Sequence, residues 1–166
     1  MTERSHEELE RLLDTFAWFW GNLHQRWRAA VEEVYGLDAA ISIESRMMEA
    51  VGRSHARRLR EILGEEKGIS GFMKLFEFVP ENFLERFEIV KHDEREVIFR
   101  NPSCSAQKAR LKKKLEEYPC KKAGILYFEA FLREVDPRLR ISAIVAPPDP
   151  HPDDCWCEWR VYIGED

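Results

Sequence analysis

From Ser5 to Leu63 the apolar residues recur at helical spacing, and the run is broken once, at Gly36. That pattern commits the first third of the chain to two long helices before anything else can be decided. Ser5 and Glu8 form a capping box, in which the Ser side chain and the Glu carboxylate each satisfy a free backbone N–H. The first helix is expected to run to about Tyr35. Leu9, Leu12, Leu13, Phe16, Phe19, Leu23, Trp27, Ala30, Val31 and Val34 form one stripe along it, which is expected to be buried. Trp18 and Trp20 widen the stripe. A second helix is expected over residues 38–63, with Ile41, Met48, Val51, His55, Leu59 and Ile62 inward and Gly64 as its stop. Gly52 inside it should cost about 1 kcal/mol relative to Ala. The short connection at Gly36 makes the pair antiparallel.

Beyond residue 71 the character changes. A short helix is expected over residues 72–78, ended by Pro80. Residues 84–91 alternate as a strand does, His92-Asp93-Glu94-Arg95 reads as a turn, and residues 96–100 return as a second strand. Asn101-Pro102 starts a helix expected to reach about Glu117, and Pro119-Cys120 starts another to about Val135. Asp136-Pro137 breaks it, and strands are expected over residues 139–145 and 156–163. The fold class is therefore α+β. An N-terminal antiparallel helical layer, residues 1–80, precedes a β-β-α-α-β-β unit with an antiparallel sheet, residues 81–166, the two forming one compact domain.

Composition narrows the function classes. A net charge of −5 argues against a general nucleic-acid binder. The basic residues Arg53, Arg57, Arg58 and Arg60, and Lys108, Arg110, Lys112, Lys113, Lys114, Lys121 and Lys122, are not interleaved with aromatics as a single-strand binder needs and read as solvated helix faces. No apolar run approaches the roughly 20 residues of a membrane span, and the first eight residues contain no apolar secretion segment. A cytoplasmic location is expected, where cysteines serve as core residues, metal ligands or reactive thiols rather than disulfides.

All four cysteines fall in the C-terminal part of the chain. Cys155 and Cys157 open the last strand and share one face, with Cα atoms about 6.5–7 Å apart, a spacing suited to two ligands of one ion. His151 lies in the proline-rich loop just before them and could fold back over them. Cys104 and Cys120 lie near helix starts, where free N–H groups lower a thiol pKa unless the thiol is buried in apolar surroundings. Gln107 shares the face of Cys104 and could hydrogen-bond a substrate or a sulfur. A metal set of Cys104, Cys120, Cys155, Cys157 and His151, holding zinc or iron, is one expectation. Plain core packing of the thiols is another. His55 reads as a satisfied core histidine, whereas His24 and His92 read as exposed.

The segments Tyr35-Gly36 with Ala39-Ala40, Cys104-x-x-Gln107-x-x-Arg110, Pro119-Cys120-Lys121, Asp136-Pro137-Arg138, Pro147-Pro148-Asp149 and Cys155-x-Cys157-x-Trp159 resemble a family of small, uncharacterised bacterial and archaeal cytosolic proteins. That family is similar in turn to the L-2-amino-thiazoline-4-carboxylic acid hydrolase group, whose activity opens a thiazoline ring to a carbamoyl amino acid. The resemblance implies that Cys104, Cys120, Asp136 and Cys155 gather in space.

Three functions stand as expectations. The first is a small-molecule or metal-binding protein with a cysteine-lined site. The second is a cysteine-dependent hydrolase of a small C–N substrate. In it Cys104 or Cys120 attacks, Gln107 or Arg110 steadies charge, and Asp136 or His151 moves protons. The third is a helical interaction module whose tryptophan stripe docks a partner, with inert thiols; a homo-oligomer through the N-terminal helices is a further expectation.

Overall fold

A computed structural model describes residues 4–164 of the chain. Met1–Glu3, on which the expected lack of a secretion segment partly rests, lie outside the described residues. The structure is α+β, with six helices and one four-stranded antiparallel sheet among the described residues. Helix α1 is His6–Tyr35 and α2 is Leu37–Leu63. Ser5 caps α1, its hydroxyl accepting from the Glu8 N–H at 3.2 Å while its own N–H donates to the Glu8 carboxylate at 2.9 Å. Gly36 closes α1 and opens α2, its N–H donating to Glu32 O.

Helix α3 is Gly68–Phe76, and a further short helix, α4, is Pro80–Glu85. The sequence pattern predicts a stop at Pro80 and a strand from residue 84. Instead Pro80 takes the first helical position, where its missing N–H costs nothing and its fixed φ suits the turn. Strand β1 is accordingly only Glu88–His92. Strand β2 is Glu96–Asn101 and helix α5 is Ser105–Lys112. Helix α5 ends short of the expected residue 117 because the segment after it folds back on it. The Gln107 side-chain amide donates to Tyr118 O and accepts from Tyr118 N–H, both at 2.8 Å, and Arg110 Nε donates to Glu116 O. Helix α6 is Lys121–Val135, β3 is Leu139–Val145 and β4 is Cys157–Ile163. The sheet order is β1-β2-β4-β3.

The core crosses residue 80. Phe72 and Phe76 of α3 meet Phe99 of β2, with Phe128 and Phe131 of α6 around them. Helix α2 lies directly on α6. Gly52 is required there, since a Cβ would sit 2.2 Å from Tyr127 O. The cost expected from helix propensity is the condition for this close approach.

The N-terminal helix departs most from expectation. Leu9, Leu13, Phe16, Phe19, Leu23 and Val34 are exposed, and the buried residues of α1 are Ala17, Gly21 and Arg28. Periodicity identifies an apolar face but not the neighbour that covers it. Here α1 approaches the body by its small-residue edge, so closely that a Cβ on Gly21 would lie 2.6 Å from Leu84 Cδ1. On α2 Met48 is buried and Val51 and Leu59 pack against the core as expected, but Ala40, Glu44, Ser45, Gly52 and Ala56 are also buried and Ile62 is exposed. Among the described residues no helix is long and apolar enough to cross a membrane.

Candidate functional site

Cys104 is the N-cap of α5, Cys120 the N-cap of α6, and Cys157 the first residue of β4. The local fold brings these three points together. Asn101, last in β2, pairs with Cys157, and its side-chain oxygen accepts from Ser103 N–H, turning the chain into α5. The Gln107 bridge then returns Tyr118, and Cys120 two residues later, to α5. Gln107 Nε2 lies 3.9 Å from Cys120 Sγ. Cys157 lies within electrostatic reach of both Cys120 and Cys104, and Cys120 within reach of Cys104. All four thiols are free.

These thiols are neutral. Burial pushes Cys104 up to about 11, with Glu85 adding to it and the N–H groups of Gln107 and Ala106 opposing. Burial, with the Cys104 thiol beside it, pushes Cys120 up to about 12. Cys157 and Cys155 are raised for the same first reason. The acidification expected at helix starts is thus reversed, because desolvation of a thiolate outweighs two backbone donors.

Against the thiols lies a buried polar group contributed by α1 and α2. Glu44, only 2% exposed, pairs through Oε1 with His24 Nε2 at 2.9 Å and with an Arg28 nitrogen at 3.5 Å. Burial pushes the Glu44 carboxyl up, but His24, Arg28 and the Tyr118 hydroxyl outweigh it and hold the group below its ordinary value. The Arg28 guanidinium stacks 4.0 Å from the centre of the Tyr118 ring. Arg28 is within electrostatic reach of Cys104 and Cys120, and Glu44 of Cys120. Four polar atoms here are buried without a hydrogen bond of good geometry: His24 Nε2, Glu44 Oε2, Ser45 Oγ and Tyr118 Oη, although His24 Nε2 lies 2.9 Å from Glu44 Oε1 and the Tyr118 hydroxyl faces the Glu44 carboxylate closely enough to act on its protonation. A cleft of about 520 Å³ between α1 and α5, lined by Arg28, Glu32, Ala106 and Arg110 among others, opens beside this group.

The chain belongs to the Family of unknown function (DUF6125). That family's model matches residues 2–163, so the three thiols and the Glu44 group all lie inside the matched region. No curated protein and no solved structure matches the chain at a significant level. Membership in DUF6125 carries no activity with it, and the chemistry has to be read from the residues.

Other residues singled out in this DUF6125 chain lie elsewhere or are committed. Asp136 caps the far end of α6, about 24 Å from Cys120 by helix rise. It is held by Arg138 at 2.7 Å and the Gly68 N–H, and the Arg138 guanidinium lowers its carboxyl to about 2. Asp136 therefore does not join the thiols. His151 turns to Glu117 at 3.2 Å and to Pro152 O, with its ring 4.9 Å from Trp156. The Cys155 thiol points to Cys157 O at 3.5 Å. Arg110 is engaged by Glu32 at 2.9 Å and Glu116 O. Among the described residues no group of three or more His, Cys, Asp or Glu is set to hold a metal ion.

Sequence reasoning missed His24, Arg28, Glu44, Ser45 and Tyr118. Far from exposed, His24 is mostly buried against Glu44. The signal lay in α2, where Glu44 stands one helical turn from both Ala40 and Met48, a carboxylate in line with the buried face. His55 is a satisfied histidine, its partner being the Tyr127 hydroxyl at 3.1 Å.

Proposed function

We propose that this chain is a cytoplasmic binding protein for a small molecule that carries both a carboxylate and an N–H donor group. The observation that carries the reading is the set of buried polar atoms without a well-formed hydrogen bond, His24 Nε2, Glu44 Oε2, Ser45 Oγ and Tyr118 Oη, beside three neutral thiols. An unsatisfied buried polar group costs about 1–3 kcal/mol, which a protein retains where a ligand supplies the missing partner. Glu44 Oε2 would accept from the ligand's N–H, and Arg28 would meet its carboxylate. The thiols offer a soft, weakly polar wall, and the cleft between α1 and α5 supplies the entry. Free cysteines throughout suit a reducing compartment.

A second reading is favoured by one observation, the His24–Glu44 pair beside Cys120. In it the pair draws the proton from Cys120, whose sulfur attacks a small C–N substrate. A thiol held at about 12 supplies little thiolate at neutral pH, so binding is the stronger reading.

Thermal unfolding in the presence of 2-amino-thiazoline-4-carboxylate, L-cysteine and related zwitterions tests both. Binding predicts a rise in Tm for wild type that is lost in Glu44→Gln, with the compound recovered unchanged. Recovery of a product heavier by one water makes the chain a hydrolase. One zinc or iron retained per chain after purification without oxygen makes the site a metal centre. No shift with any zwitterion removes the reading.

A further inference from the structure

We propose that two copies of this chain associate through α1 as an antiparallel helix pair. The proposal is independent of the interior site. From Arg4 to Phe16 every residue is exposed except Leu12, which is half-buried, so the first three turns of α1 stand clear of the body. A bare helical stretch of that length is marginal in water. Its outer face is also patterned for another helix. Leu9, Leu12, Phe16, Phe19 and Leu23 have 3-4-3-4 spacing, the repeat that lets one helix seat its side chains against a second. Phe16 is 62% exposed and Leu23 67%.

Area fits a second copy. With Leu9, Leu13, Phe16, Phe19 and Leu23 half exposed or more, the free apolar surface is about 500 Å². A standard interface takes about 800 Å² from each partner, a little over half of it apolar. A patch of this size is at the upper end of what monomers leave uncovered.

Charge fixes the direction. The first turns are acidic, with Glu7, Glu8, Glu10 and Asp14, and the next stripe position after Leu23 is Arg26. A two-fold axis between Phe16 and Phe19 matches Phe16 with Phe19 and Leu12 with Leu23. It sets Arg26 against Leu9 of the second copy, between Glu8 and Glu10. A parallel pair would stack the acidic turns on each other. The same acidity disfavours a lipid surface, for which the polar face would be Lys- and Arg-rich.

Sedimentation equilibrium of the full chain tests the proposal. Wild type is expected to be a dimer at about 100 µM, a concentration well above the Kd of a standard interface. Phe16→Glu with Leu23→Glu, at exposed positions, should weaken self-association at least about tenfold with the Tm of the domain retained. Arg26→Glu should weaken it about threefold or more, and Glu10→Arg in the same chain, which leaves the Ser5–Glu8 cap intact, should restore it. A wild-type monomer at that concentration, or a dimer indifferent to Phe16→Glu with Leu23→Glu, overturns the proposal. Failure of the charge swap overturns the antiparallel register. Co-sedimentation of the monomer with phosphatidylserine vesicles, lost in the double variant, assigns the face to a membrane instead.

Discussion

The aromatic core and the interior between α1, α2 and the starts of α5 and α6 are filled on opposite principles. In the first, Phe72, Phe76, Phe99 and Phe131 meet ring to ring at 4.6–6.2 Å with no charge among them. In the second, Arg28, His24 and Glu44 surround one another beside three thiols, and four polar atoms lack a well-formed hydrogen bond. Burial in the first region stabilises the fold directly. Burial in the second opposes it, since every orphaned atom and every desolvated charge is unfavourable. A region kept polar against that cost has its reason in what it meets, not in what it holds together.

The contrast can be broken by truncation. Phe99→Ala should destabilise the domain by about 3–5 kcal/mol in urea unfolding, the usual cost of a large core cavity. A loss under about 1 kcal/mol would mean that the aromatic cluster is not the stabilising region.

The thiols sharpen it through pH. Cys104 and Cys120 stand at about 11 and about 12 in the fold, against 9 as ordinary thiols. An acid whose pKa is raised by folding binds more protons folded than unfolded, so its stabilising contribution is complete below pH 9 and is lost as pH rises through the folded values. Unfolding free energy should therefore fall by about 4 kcal/mol more in wild type than in Cys104→Ser with Cys120→Ser between pH 9 and 11, about 2 kcal/mol for each thiol. Equal slopes would show the thiols to be solvated.

Asp136 provides the control outside both regions. Its carboxyl is held at about 2 by Arg138, so its contribution is present above pH 3.8 and is lost as pH falls through the folded value. Because Arg138 is largely exposed, Asp136→Asn should cost only about 1–2 kcal/mol. Ligand response should be unchanged, because the residue lies a helix length from the thiols.

Much of this fold could be read from local signals. The Ser5–Glu8 cap, the stops at Gly36 and Gly64, the break at Asp136-Pro137 and the strands beginning at Leu139 and Cys157 are each set by residues within a few positions. The features that escaped depend on distant partners. Pro80 starts a helix or ends one according to the packing of the residues beyond it. The apolar stripe of α1 says nothing of which face the body will meet, and Ala17 and Gly21 won because small residues let α4 come close. Glu44 and His24 are ordinary surface types in the sequence. Only their convergence across the Gly36 turn makes them a buried pair. The thiols were visible as candidates, but their protonation was not, since burial is a property of the fold.

The Tyr118 hydroxyl, buried toward Glu44 without a hydrogen bond of good geometry, gives the most direct test of a ligand-binding interior. Unfolding free energy of Tyr118→Phe should be measured beside wild type, with and without 2-amino-thiazoline-4-carboxylate. The variant is expected to be at least as stable as wild type when empty, because an unsatisfied hydroxyl is removed, and to gain less on adding the compound. A variant that loses more than about 1 kcal/mol when empty would show that the hydroxyl is already satisfied within the fold. The interior polar group would then be structural rather than a place for a ligand.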